Sequence, residues 1–198
     1  CPLCCEPVDE THLYTFVAAH PRMNIRMQSK FCHEHKKRSA ALRYTELGYP
    51  VIQWHKLESR MQAHWPHVEA VLAGTTPSYF RDRLEKKVAK GEERTLFSTI
   101  MTDEFKSSTT GYFGPRGART MMESITKQFA PQIRRLAPTD PLIASGGVSN
   151  FVQAVLVPEL ASRLVGEDMG VGGERARELL GESGRIGNLV NEEEDDAI

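Results

Sequence analysis

Residues 111–136 read GYFGPRGARTMMESITKQFAPQIRRL, and this stretch indicates the fold class most directly. Its first seven residues hold three glycines and a proline, which predict a tight turn. The residues after the turn place apolar side chains on one helical stripe. Pro131 is expected to kink or restart this helix, because proline lacks a backbone N–H. The stripe consists of Ala118, Met121, Met122, Ile125 and Phe129.

The rest of the chain gives further helical signals and few strand signals. Ser149 begins the most hydrophobic predicted helix, which Pro158 is expected to bend. Residues 92–110 are ambiguous, because an apolar run is followed by threonines that weaken a helix. One further predicted helix ends at Leu47 before Gly48, and others run from about Leu57 to Ala63, from Pro66 to Leu72 and from Ser78 through Lys90. A last pair of helices is predicted near Glu174–Leu180 and Arg185–Glu192, and this pair is weakened by Gly181, Gly184 and Gly187.

The composition is that of an ordinary globular protein. The chain has 198 residues, of which 40% are hydrophobic and 26% are charged, and this excludes a collagen, a coiled-coil rod and a wholly disordered chain. No apolar run approaches the roughly 18 residues that a membrane span needs. The net charge of −1 conceals an acidic end, since residues 166–198 carry three Lys or Arg against ten Asp or Glu. The chain opens on Cys1, itself a candidate ligand, and we therefore expect a domain excised from a longer protein.

Two short motifs near the start predict a metal site. Cys1-Pro2-Leu3-Cys4 is a Cys-x-x-Cys pair, and Cys32-His33-Glu34-His35 is a Cys-x-x-His pair. Two intervening residues let a turn direct both side chains at one ion, and two such pairs complete the tetrahedral shell of structural zinc. A knuckle, a short hairpin in residues 12–29 and a helix with Cys32 and His35 in its first turn would form a treble-clef-like subdomain. A redox pair and an accidental cluster are the alternatives, and Cys5 and His33 are not expected to coordinate.

No motif points to catalysis. The chain lacks a P-loop, a dinucleotide-binding glycine motif, a nucleophile elbow and a His-Glu-x-x-His helix. The turn before residue 118 has two interpretations. It either caps a helix with Tyr112 and Phe113 buried, or it exposes N–H groups to an anion that Arg116 and Arg119 clamp. The zinc shell leaves no position for a substrate, so it argues for architecture rather than activity.

Basic residues offer a possible nucleic-acid surface. They follow the zinc ligands directly and recur on a later helix and at the turn, where they could contact phosphates. The alternative is a solvated surface in which they pair with acidic side chains. The residues concerned are Lys36, Lys37, Arg38 and Arg43, then Arg81, Arg83, Lys86, Lys87 and Lys90, and finally Arg116 and Arg119.

Six stretches together carry a family resemblance: Cys1-Pro2-Leu3-Cys4, Phe31 through Lys36, Gly48-Tyr49-Pro50, Tyr112 through Arg119, Phe151 through Leu160, and the acidic end from Gly187 to Asp196. The chain thereby resembles, over essentially its whole length, the fungal restriction of telomere capping protein four-like domain. The resemblance implies a link to telomere capping and a nuclear and cytoplasmic location. It implies no catalytic residues, and it supports Cys1, Cys4, Cys32 and His35 as a matched set with Cys5 outside it.

These observations predict a mainly α protein, a single helical domain with little β structure. Residues 1–50 would form the zinc-binding subdomain with one structural zinc per chain, and residues 51–198 the helical body with its acidic end. We predict a non-catalytic nuclear interaction module that binds a chromatin- or telomere-associated protein and no membrane. Its partner surface would include Lys36 and the segment from Tyr112 to Arg119. The alternative function is direct DNA or RNA binding through the basic residues.

Overall fold

The computed structural model describes residues 1–90 and 109–193, and the regular elements within them are all helical. The prediction of a mainly α protein is therefore confirmed. The chain divides into two compact units, residues 1–48 and residues 49–198. The ambiguous residues 92–108 and the last acidic residues, 194–196, lie outside the described ranges.

The N-terminal unit consists of a knuckle followed by two helices, α1 (Glu10–Ala19) and α2 (Ile25–Glu46). The hairpin predicted for residues 12–29 is wrong, and with it the treble-clef-like arrangement, because Asp9 and Asn24 both act as N-caps. Each side chain accepts a hydrogen bond from a backbone N–H three residues on. The earlier start of α2 also moves Cys32 and His35 out of its first turn and deeper into the helix.

The larger unit is built from helices joined by short turns. Its elements in chain order are α3 (Trp54–Ala63), α4 (Trp65–Leu72), α5 (Tyr79–Ala89), a 3-10 turn (Gly111–Phe113), α6 (Gly114–Leu136), α7 (Pro141–Gly146), α8 (Val148–Phe151), a π-helical turn (Val152–Leu156), α9 (Val157–Met169) and α10 (Gly173–Val190).

Several predicted boundaries are confirmed, and each has a local cause. α2 ends before Gly48, whose φ of 70° is in the left-handed region that favours glycine. Pro66 lies in the first turn of α4, where its missing N–H costs nothing. Ser78 caps α5, and its hydroxyl accepts a hydrogen bond from the Arg81 N–H.

The structure bears on two predictions about proline. α6 runs unbroken through Pro131, so the helix does not restart there. Pro158 is in the first turn of α9, and the irregularity falls just before it, in the π turn. A π turn places one extra residue in the helix, and this accommodates a position where proline supplies no N–H.

The predicted pair of C-terminal helices is also wrong, because α10 is one continuous helix. Its Gly187 permits close packing instead of ending the helix. A Cβ on Gly187 would lie 2.1 Å from the Gly111 carbonyl oxygen, and a Cβ on Gly114 would lie 2.2 Å from the Gly187 oxygen. α10 therefore packs backbone to backbone against the 3-10 turn.

The core of the larger unit lies where α6, α9 and α10 contact one another and the 3-10 turn, while α5 packs against the π turn and α7. Its largest fully buried side chains include Tyr112, Phe113, Met121, Ile125, Phe151, Leu156 and Leu160. None of the helices in the described ranges combines the length and the apolar character needed to cross a bilayer.

Candidate metal centre

The structure brings the four residues of the two sequence motifs together. The sulfur atoms of Cys1, Cys4 and Cys32 and one ring nitrogen of His35 all lie within 4.8 Å of one another. His35 Nε2 is 3.1 Å from Cys4 Sγ. In a tetrahedral zinc site with Zn–S bonds of about 2.3 Å, neighbouring sulfurs are about 3.7 Å apart. The spacing of the donor atoms therefore fits a single metal ion.

Each half of the cluster has a simple local origin. The first two cysteines lie on a turn that the Cys5 N–H closes by donating to the Cys1 carbonyl oxygen at 2.9 Å. Cys5 follows with a φ of 60°, unusual for a residue other than glycine. Cys32 and His35 are three residues apart on α2, so both project from the same face.

Aromatic side chains support the cluster from the inside of the N-terminal unit. Phe31 is buried, and its ring centroid lies 5.1 Å from that of Phe16 and 5.7 Å from that of His35. His12 stacks on the opposite side of this group, at 5.3 Å from Phe31. The packing fixes the His35 ring, which is only 3% exposed.

Burial sets the protonation of the donor atoms. It lowers the pKa of His35 and so favours the neutral imidazole, the form that binds metals. Burial, and then the neighbouring Cys4, raise the pKa of Cys32. A bound dication would stabilise the thiolate forms of the cysteines directly.

Two nearby residues do not join the cluster. Cys5 and His33 are both exposed and lie outside the group of four. His35 Nδ1 is buried and has no hydrogen-bond partner among the described residues. The four donors are three sulfurs and one nitrogen, a soft set that suits zinc and poorly suits magnesium or calcium.

The basic residues predicted to form a binding surface are dispersed. In the N-terminal unit, Lys37 and Arg38 are exposed, Lys36 is half-buried, and Arg43 pairs with Glu46 at 3.2 Å. In the larger unit, the basic residues of α5 other than Arg81 remain at the surface, fully in the case of Arg83, Lys86 and Lys90 and partly for Lys87.

Three arginines of the larger unit are engaged within the fold. Arg81 forms an ion pair with the buried Asp140. Arg116 lies over the Trp54 ring at 4.4 Å from its centroid. Arg119 lies 2.9 Å from Glu123 and 3.9 Å from Glu193. The ion pairs of Arg81 and Arg119 reduce the charge available for phosphates.

Tyr112 is not available to a partner, contrary to its predicted place on the binding surface. Its side chain is fully buried, and its hydroxyl donates to Asp168 Oδ2 at 2.8 Å. Its ring stacks between those of Tyr49 and Phe113. The turn therefore follows the helix-capping interpretation, with both aromatic residues inside.

Sequence reasoning missed a polar network in the larger unit. Buried Glu159 accepts a hydrogen bond from the Ser78 hydroxyl, and its other oxygen lies 3.3 Å from His67 Nε2. Arg163 donates to the His67 ring. Glu159 and Arg163 on α9 lie more than 80 positions away from His67 and Ser78, so no local pattern could reveal the network.

The comparisons with known proteins agree on one family. A family model for the RTC4-like domain matches residues 73–192. Restriction of telomere capping protein 4 of Lachancea thermotolerans is 28% identical over 146 residues, which cover 69% of this chain and 37% of that protein. Its namesake from Kluyveromyces lactis is 29% identical over 124 residues, covering 60% of this chain and 31% of that protein. The chain thus spans about a third of these curated relatives. No solved structure gives a significant match.

Proposed function

The chain belongs to the RTC4-like domain family, and on this premise we propose that it is a zinc-stabilised, non-catalytic interaction module. It acts in the nucleus on a chromatin- or telomere-associated protein. The observation that carries the proposal is the convergence of Cys1, Cys4, Cys32 and His35 on one point. The names of the curated relatives support the link to telomere capping.

Zinc would serve structure in this arrangement. Three cysteines and one histidine fill the four positions of a tetrahedral ion, so no position remains for a reacting water. The ion joins the N-terminal knuckle to α2, and binding in such sites contributes on the order of 10–16 kcal/mol to folding. Cys1, Cys4, Cys32 and His35 are its ligands.

The partner surface includes the part of α2 that follows the ligands. Lys37 and Arg38 are exposed within one turn after His35, and zinc binding would hold this stretch in place. Exposed basic side chains steer an acidic protein surface more than they add affinity. The alternative function, direct binding of DNA or RNA, uses the same side chains, so variants of Lys37 and Arg38 also test that function.

Metal analysis of the purified chain tests the zinc proposal. We expect one zinc per chain, loss of that zinc in Cys4→Ser and His35→Ala, and unfolding of the N-terminal unit in both variants. Cys5→Ser is the matched control, because this exposed neighbour lies outside the cluster. It should keep the metal. A His35→Ala protein that retains one zinc per chain would disprove the ligand assignment.

Capture from fungal nuclear extract tests the partner proposal. The bait is the zinc-loaded chain, and the variant is Lys37→Glu with Arg38→Glu. The control is Arg134→Glu with Arg135→Glu, two exposed arginines on α6. A telomere- or chromatin-associated protein should be lost with the first variant and kept with the control. Equal recovery by both variants would contradict the assigned surface.

A further inference from the structure

The larger unit contains a cavity of about 520 Å³ that the metal centre does not use. It opens beside α4, the start of α5, α9 and the start of α10. Most of its lining residues fall within the part of the chain that matches the family model. The charged, imidazole and aromatic residues of the lining are His64, His67, Tyr79, Glu159, Arg163, Glu167 and Arg177.

The first carboxylate in the lining is already satisfied. Arg163 Nη2 donates to His67 Nδ1 at 3.0 Å, and this leaves the other ring nitrogen, Nε2, to act as a donor. That nitrogen faces Glu159 Oε2 at 3.3 Å, while Glu159 Oε1 accepts from the Ser78 hydroxyl. Glu159 therefore acts as a fixed internal acceptor and not as a free negative charge.

The second carboxylate is also paired inside the protein. Glu167 Oε1 lies 2.8 Å from His64 Nε2, and Glu167 Oε2 lies 3.1 Å from Arg60 Nη2. Both acidic groups of the cavity thus have partners within the fold, and Glu167 shares the Arg60 guanidinium with Asp168, whose Oδ1 lies 2.7 Å from the same nitrogen.

Two guanidinium groups remain without such balance. Within residues 1–90 and 109–193, neither Arg163 nor Arg177 lies within ion-pair distance of a carboxylate. Arg177 is instead held over the face of the half-exposed Tyr79 ring, 5.0 Å from its centroid. A guanidinium stacked on a ring keeps its N–H edges available for a planar or tetrahedral anion.

The first turn of α10 adds to this positive potential. Gly173 lines the cavity, and the preceding Gly172 offers no side chain to cap the helix. Backbone N–H groups at a helix start favour negative charge. This contribution strengthens a site that the two arginines define.

We propose that the cavity binds an anionic side chain of a partner peptide, phosphorylated or carboxylate, held between Arg163 and Arg177. This rests on the proposed role as a protein-interaction module and names the chemistry of a second contact. A peptide fits better than a nucleic acid, because the two guanidinium groups of the lining suit one anionic group and not a continuous chain of phosphates. A peptide places a single anionic side chain in the cavity, and its backbone amide N–H groups are available to the other residues of the lining.

Fluorescence anisotropy on the zinc-loaded full chain tests the proposal. The probes are labelled nine-residue peptide pools with a central phosphoserine, glutamate or serine, and inorganic phosphate is the competitor. We expect the phosphoserine or glutamate pool to bind at least ten-fold more tightly than the serine pool. Arg163→Gln and Arg177→Gln should each weaken that binding at least ten-fold, and Arg135→Gln, an exposed arginine on α6, should not.

Equal affinity for the three pools, or unchanged affinity in both cavity variants, would overturn the proposal. Duplex DNA that binds in an Arg163-dependent manner would also overturn it. Amide NMR shifts of the unaltered chain on phosphate titration give a readout that needs no variant, and they should include Gly173. If the peptides do not bind the cavity but partner capture still depends on Lys37 and Arg38, the cavity proposal fails and the proposed function stands.

Discussion

Replacing Gly187 by alanine should destabilise the larger unit, although alanine is the better helix former. A Cβ at this position would lie 2.1 Å from the Gly111 carbonyl oxygen and 2.8 Å from the Tyr112 Cα. Both neighbours are backbone atoms, so neither can rotate away as a side-chain end would. The 3-10 turn and α10 must separate by about 1 Å to restore ordinary contact.

α10 also provides a control substitution that should raise the free energy of unfolding instead of lowering it. Gly181 is exposed on α10, and a Cβ there would meet nothing within 4 Å. Gly181→Ala should therefore raise the free energy of unfolding by about 0.5–1 kcal/mol through helix propensity alone. Gly187→Ala gains the same propensity term but incurs overpacking of about 1–3 kcal/mol or more, which a rigid backbone contact places at the upper end. We expect a net loss of about 2 kcal/mol.

Urea denaturation followed by circular dichroism measures both changes, and thermal melts give a second reading. About 2 kcal/mol corresponds to a fall in Tm of roughly 4–8 °C for a unit of this size. Stabilisation by both alanines would refute the inference that these backbones touch. Equal destabilisation by both would show that flexibility at the glycines, and not the close approach, sets the outcome.

Three further predictions follow from contacts in the larger unit. Ser78→Ala removes the cap of α5 and one donor to buried Glu159, so the free energy of unfolding measured in urea should fall by about 2–3 kcal/mol. The control, Ser59→Ala at an exposed position, should lower it by less than about 0.5 kcal/mol. Tyr112→Phe deletes the hydrogen bond to Asp168 while keeping the ring, and should cost about 1–2 kcal/mol; an unchanged urea midpoint would contradict that bond. Binding to labelled duplex DNA at 150 mM salt should be no tighter than about 10 µM, whereas micromolar or tighter binding that falls steeply as salt increases would favour the nucleic-acid alternative.

The sequence predicted that the chain is mainly helical and where several helices end, because both depend on neighbouring residues. Ser78 and Pro66 act over one turn, and their effects are visible in a short window of sequence. The same local logic should have found α1 and the start of α2, since Asp9 and Asn24 are strong N-caps. The expectation of a hairpin came from the zinc motif, and the capping signals contradicted it.

The remaining errors concern interactions between distant parts of the chain. Gly187 resembles a helix breaker until the 3-10 turn is placed against it. The convergence of the four metal-site residues could be predicted, because both pairs have diagnostic spacing. The network of His67 and Glu159 could not, since each residue alone looks like an ordinary surface residue.

The π turn at residues 152–156 is a place where this helix can lose a single codon without turning its two flanking segments relative to each other. It holds one residue more than an α-helical turn, and each residue of an α-helix corresponds to about 100° of rotation and 1.5 Å of rise. A one-residue deletion here would restore a regular α-helical turn and leave Phe151 and Leu160 close to their present relative orientation, whereas the same deletion in regular helix would rotate the flanks by about 100°. Both side chains are fully buried, so a shorter helix should be tolerated at the π turn and not in the segments beside it.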